Sequence, residues 1–149
     1  MQLVTVAAWF HDTGFSTCYK GHEYSSQNIA TKFLSEHNVS DKSIQIICEC
    51  IEATKMPQSP KSLLAKVLCD ADLMHLSTPE FFYRKLLLRR EWEVFCDNSV
   101  SDIEWHLLNK KFLEEHNYWT DYGKSILREG KHENLKKVEN IISYYHDSN

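Results

Sequence analysis

Apolar positions recur along the chain every three to four residues, the spacing of one face of an α-helix. Val4, Val6, Ala7 and Ala8 form an apolar run, and the first ten residues read as the end of a buried helix. A loop from about Thr13 to Gly21 leads to a helix running to about His37, with Ile29, Ala30, Phe33 and Leu34 as its apolar set. Asp41 is predicted to cap the next helix, which places Ile44, Ile47, Cys48 and Ile51 on one face. Met56-Pro57-Gln58-Ser59-Pro60 breaks that helix. Ser59 as N-cap and Pro60 at the first helical position then predict a helix carrying Leu63, Leu64, Val67, Leu68 and Ala71. Thr78-Pro79 repeats this start signal before Phe81 to Phe95. Ser99 or Ser101 starts the helix holding Trp105, Leu108 and Phe112, and a last helix spans about Tyr122 to Tyr145 with an interruption at Gly130.

Composition agrees with that pattern. Only four Gly and three Pro interrupt 149 residues, so the expected fold class is all-α. Hydrophobic residues make up 42% and aromatic residues 12%, enough for one core, and no linker, composition shift or repeat divides the chain. Residues 1–149 are therefore read as a single helical domain. The net charge of −4 argues against broad nucleic-acid or membrane electrostatics. No stretch approaches the eighteen apolar residues of a membrane span. The five cysteines are odd in number and scattered, and Cys48-Glu49-Cys50 lacks the spacer of a usual zinc pair. No secretory signal segment is read ahead of them, so they are expected to be reduced, mostly packed thiols of a cytoplasmic protein.

The chemistry concentrates at His11-Asp12, which follows the apolar run and precedes a Thr13-Gly14 turn. A carboxylate at the inner end of a buried segment needs a partner. A divalent cation satisfies an imidazole nitrogen and a carboxylate together, and the mixed donor set suits Mn, Fe, Zn or Mg over thiolate chemistry. Gly21-His22-Glu23 and Asp70-Ala71-Asp72-Leu73 supply further oxygen and nitrogen donors. Metal-assisted hydrolysis is the reaction class this set suggests. A helical wheel puts Asp70 and Asp72 at the two flanks of one apolar face and does not choose between them.

With those residues in view, the chain resembles the HD-domain metal-dependent phosphohydrolases, in particular the bacterial branch of predicted HD-superfamily phosphohydrolases. The shared pieces are Ala8-Trp9-Phe10-His11-Asp12, Gly21-His22-Glu23 with Ser26, Ile51-Glu52-Ala53-Thr54-Lys55, and Cys69-Asp70-Ala71-Asp72-Leu73. Leu88-Arg89-Arg90-Glu91-Trp92, Phe112-Leu113 and Glu133-Asn134-Leu135 complete an ordered set covering nearly the whole chain. The resemblance implies an HD-domain-like helical bundle with a divalent metal (Mn, Mg, Fe, Ni, Co or Zn) held between helices by His11, Asp12 and Asp72. It implies hydrolysis of a phosphomonoester or phosphodiester, nucleotide-like in character, with Asp12 or Asp70 accepting a proton from water. Asp70 has a second reading, as a cap or an acceptor that orients a ligand. His22 is read either as a substrate or second-metal contact or simply as the residue that opens a helix.

Lys55 stands where many relatives carry a histidine, which weighs against a two-metal site and leaves Lys55 as a phosphate contact. Arg89 and Arg90 are the other phosphate candidates, because guanidinium forks match phosphate oxygens; the competing reading pairs them with Glu91, Glu93 or another carboxylate. Lys131 and Asn134 are read as a solvated helix face. His37, His75, His106, His116, His132 and His146 share no motif and are read as surface or packing residues. Trp92, Trp105 and Trp119 are assigned to the core, while Trp9 is close enough in sequence to line the site.

Relatives carry a further metal-binding histidine on a helix upstream of the doublet, in a Tyr-His-Asn…His-Thr segment. Met1 lies only ten residues before His11, so the chain reads as N-terminally incomplete relative to the family. A fragment of a longer product, a misassigned start and a lost ligand are the three explanations. Self-association, or altered packing of Leu3, Val4 and Val6, would compensate for a missing helix. The alternative function is a degenerate HD domain that binds a nucleotide or a partner protein as a regulatory module. A third reading is a purely structural helical interaction module.

Overall fold

The computed structural model describes residues 3–96 and 99–147; Met1 and the side chain of His146 lie outside them. The described residues are all-α, with seven α-helices and no strand. They fall into two compact units, Met1–Asp72 and Leu73–Asn149. Among the described residues no helix is long and apolar enough to cross a membrane.

In the first unit, α1 (Leu3–Phe10), α2 (His22–Glu36), α3 (Asp41–Thr54) and α4 (Leu63–Asp72) pack together. Ala7, Ala30, Leu34, Ile47, Ile51 and Leu68 lie in its core. Leu3, Val4 and Val6 are half-buried. The predicted caps are displaced by short local bonds. Ser40, one residue before Asp41, is the N-cap of α3 and accepts from the Ser43 N–H at 3.4 Å. Likewise α4 starts at Leu63, and the Ser62 hydroxyl accepts from the Ala65 N–H at 3.2 Å. Ser59 does not cap: its N–H is spent on the Ala53 carbonyl at 3.2 Å, which keeps Ser59 and Pro60 in the loop. The face of α4 is rotated accordingly. Ala65, Leu68 and Cys69 are buried, whereas Leu63 is 71% exposed.

The second unit contains α5 (Phe81–Phe95), α6 (Asp102–Glu115) and α7 (Arg128–Asp147) around Leu76, Phe81, Leu113, Val138 and Ile142. Of the two serines proposed as starts, Ser101 caps α6. Its hydroxyl accepts from the Glu104 N–H while Glu104 reaches back to the Ser101 N–H, a reciprocal capping box. The irregularity expected at Gly130 lies earlier, as a π-helical turn over Gly123–Leu127. Gly130 is regular helix, and its missing Cβ makes room for the Ser77 carbonyl.

Lys131 and Asn134 are buried, not solvated. Their donors serve carbonyls that helix ends and turns leave open. Lys131 Nζ donates to the carbonyls of Leu113 and His116, and Asn134 Nδ2 donates to those of Leu76 and Thr78 at 2.9 Å. Trp105 is buried with Trp92 edge-on to it, as assigned. All five cysteines are free thiols, two of them buried. Burial pushes the Cys69 thiol up to about 12, with the Asp72 and Asp70 carboxylates adding to the shift.

Lys85 is the opposite case to Lys131. Its ammonium lies 4.6 Å from the Phe112 ring centre and 5.8 Å from that of Phe81. Loss of hydration brings its pKa down to about 8.

Two consequences are measurable. Alanine normally favours a helix interior over glycine by about 1 kcal/mol. Gly130→Ala should instead lower stability by about 1–3 kcal/mol, because the methyl overpacks against Ser77; a raised urea midpoint would refute this. For Lys85, the unfolded chain holds its proton up to about 10.4, whereas the folded chain begins to release it at about 8. Stability should therefore rise with pH across that window. Lys85→Met should remove this rise in paired denaturation curves.

Candidate metal centre

His11 sits one residue beyond α1, where its N–H still bonds to the Ala7 carbonyl at 2.9 Å. The chain then turns sharply through Asp12 and a 3₁₀ turn, Thr13–Ser16. Two features close this turn. The Thr13 hydroxyl donates to the Phe10 carbonyl at 2.7 Å. The Ser26 hydroxyl, on α2, donates to the His11 carbonyl at 2.6 Å and accepts from the Gly14 N–H at 2.8 Å. Gly14 is buried so close to the His22 carbonyl that a Cβ would collide with it. Ser26 and Gly14 together draw the start of α2 against the end of α1.

This arrangement groups five polar side chains in the first unit. His11 Nε2 is 3.3 Å from an Asp12 oxygen and 3.5 Å from Asp72 Oδ1. His22 Nε2 is 3.6 Å from the other Asp12 oxygen and 3.6 Å from Glu23 Oε1. The second nitrogen of each ring faces a main-chain acceptor: His11 Nδ1 donates to Ala8 at 2.8 Å and His22 Nδ1 to Tyr19 at 3.2 Å. Phe15 stacks on the His22 ring, with centres 3.7 Å apart. Both imidazoles are thus oriented by contacts independent of any ligand.

Asp72 reaches this group because it continues the inward stripe of Ala65, Leu68 and Cys69 on α4. Asp70 belongs to another part of the helix surface and is only 4% exposed. The structure brings together His11, Asp12, Asp72 and His22. Lys55 caps the C-terminus of α3 with its side chain exposed. Arg89 and Arg90 belong to the second unit and are engaged there. Arg89 bonds to Asp102 at 2.7 Å and to the Val100 carbonyl at 2.8 Å, and Arg90 pairs with Glu93 at 3.2 Å. Glu23, one of the donors offered by the Gly21-His22-Glu23 segment but given no separate role, is buried beside His22. Its spacing from Ser26 puts both on one face of α2, the signal that could have included it.

No family model, curated protein or solved structure matches this chain. The site therefore stands on its own geometry and donor chemistry.

The hydrogen bond His11 donates to Asp72 is the largest influence on its ring and, with the Ala8 carbonyl and the Asp12 charge, raises its pKa to about 9 despite burial. The imidazolium neutralises carboxylates that would otherwise repel each other. As the side chains stand, no group of three His, Cys, Asp or Glu among the described residues is spaced to hold a metal ion; the imidazoles and carboxylates close on one another. The donor set itself fits a divalent cation: two Nε2 atoms and three carboxylates approach from α1, α2 and α4, with each Nδ1 already tied to a carbonyl.

The Ser26 hydroxyl has no surplus bond to lose. Ser26→Ala would leave the Gly14 N–H and His11 carbonyl unserved and should destabilise the chain by about 1–3 kcal/mol. A change below about 0.5 kcal/mol in chemical denaturation would show that the junction does not need it.

Proposed function

We propose that the first unit is the catalytic part of a metal-dependent phosphohydrolase acting on a nucleotide-like phosphomonoester or phosphodiester. The observation that carries this reading is the meeting of His11, Asp12 and Asp72 from two distant segments. The ordered likeness to HD-domain phosphohydrolases supports it. His11 Nε2, Asp12 and Asp72 would hold the cation. A divalent cation in such a site supplies Lewis-acid polarisation of a phosphoryl oxygen and makes water reactive near neutrality.

The remaining work falls to side chains of this chain. Asp12 is the most open of the three, with 55% of its side chain exposed against 25% for Asp72 and 18% for His11. It is the carboxylate that incoming water can reach. As the water oxygen bonds to phosphorus and the P–O ester bond breaks, Asp12 takes a water proton and the departing alcohol oxygen, carrying the bond's electron pair, takes a proton from solvent. Asp70, at 4% exposure, is assigned a supporting role in α4. His22, fixed between Phe15, Tyr19 and Glu23, is the side chain assigned to contact the substrate beside the cation. Phe15 and Tyr19 are 43% and 39% exposed and offer flat apolar surface to a base or similar ring.

The closed pairing of His11 with Asp72 favours a second reading, a non-catalytic module that binds a nucleotide or a protein. One experiment separates the two. The protein, purified and equilibrated in turn with Mn, Mg, Ni, Co, Fe and Zn, is analysed for bound metal and assayed on a nucleotide panel. The proposed enzyme binds near-stoichiometric metal and turns over, and Asp72→Asn lowers both metal content and rate by at least tenfold. Nucleotide binding without metal uptake would establish the second reading. Activity unaltered by Asp72→Asn would remove the proposed site.

A further inference from the structure

A cavity of about 220 Å³ opens in the second unit among α5, α6 and α7, with Phe82, Lys85, Leu86, Arg89, Trp105 and His106 in its wall. Its chemistry is independent of the site described above. Arg89 is neutralised by Asp102 at 2.7 Å and Glu93 at 3.5 Å. Burial lowers the pKa of His106, which disfavours a charge on its ring. Lys85 differs from both. Among the described residues no carboxylate lies within 4.0 Å of its ammonium, which has only the faces of Phe81 and Phe112 beside it. Desolvating an ammonium without an anion is unfavourable, and aromatic faces recover only part of that cost.

We infer that this cavity binds a small monocarboxylate with a flat apolar body, its carboxylate paired with Lys85 and its body against Phe82, Leu86 and Trp105. Size and charge both select this class. The volume is below the roughly 300–1,000 Å³ of sites for drug-sized ligands, which excludes a nucleotide. Arg89 is paired with Asp102 and Glu93, which leaves the Lys85 ammonium as the cation in the wall without a carboxylate. A monoanion neutralises it. A phosphate monoester, at about −1.5 to −2, would leave excess charge beside Asp102. Lys85, Trp105 and Asn109 also line an adjoining cavity of about 320 Å³ that continues toward Trp92 and Phe112.

Benzoate is the probe, with benzyl alcohol as its uncharged analogue and inorganic phosphate as the rival anion. Each is titrated into the full chain and followed by two-dimensional NMR. Benzoate should bind saturably and shift the Trp105 indole N–H and the Phe82 and Leu86 amides, while the other two bind at least tenfold more weakly. Lys85→Met should weaken benzoate at least tenfold. Leu86→Trp changes a residue that is 62% exposed, so it tests the same cavity by obstruction even if Lys85→Met does not fold. It too should weaken benzoate tenfold. Absence of saturable benzoate binding, equal binding of benzyl alcohol, tighter binding of phosphate, or a folded Lys85→Met that retains benzoate would each overturn the inference.

Discussion

In the first unit, the polar group at His11 exists because α1 stops at Phe10 and α2 begins close beside that end. A buried junction of this kind exposes main-chain donors and acceptors to a region without water, and each must find a partner. One hydroxyl serves two of them. Ser26 joins the His11 carbonyl to the Gly14 N–H, and Gly14 lets the turn approach the His22 carbonyl. Without that contact the His11-Asp12 pair and the His22-Glu23 pair would belong to separate helix ends. With it, they form one cluster, and α4 brings Asp72 to the same place through the packing of Leu68 and Cys69.

The two units solve the burial of charge differently. Around His11, opposite charges are gathered so that imidazole and carboxylates compensate each other; desolvation is repaid by mutual pairing and by the Ala8 carbonyl. Lys131 and Asn134 instead direct their donors at main-chain carbonyls and so fasten α7 to the end of α6 and to the segment around Leu76 and Thr78. Lys85 has neither kind of compensation. A side chain that lacks a partner inside the protein marks a place where a partner from outside gains most.

Much of the fold was legible because periodicity and end signals acted together. The bounds of α5 at Phe81 and Phe95, and Ser101 as one of two starts for α6, follow from sequence. Failures arose where several residues could make the same local bond. Ser40 and Ser62 cap in place of Asp41 and Ser59 because capping depends on which side chain reaches the free N–H in space. Lys131 and Asn134 were misplaced for a related reason: polar residues on a helix ordinarily face water, and only the partner segment reveals an open carbonyl. At the site, His11 and Asp12 were evident as neighbours in the chain and Glu23 as a nearby donor, but its contact with His22 is a matter of how the helix start folds.

Sequence alone determined that the chain is helical, since the apolar period and the scarcity of glycine and proline are local properties. It also singled out His11 and Asp12, with Asp70 or Asp72, as residues whose chemistry belongs together. A wheel places Asp70 and Asp72 both at the flank of a face; in the folded chain Asp72 lies 3.5 Å from His11 and Asp70 is buried. Tertiary structure likewise committed Arg89 to Asp102 and left Lys85 facing a cavity. Helical spacing specifies which residues share a side of one helix. Which of them meet across helices depends on rotation and approach, and those are set by shape and by the pairing of buried polar groups.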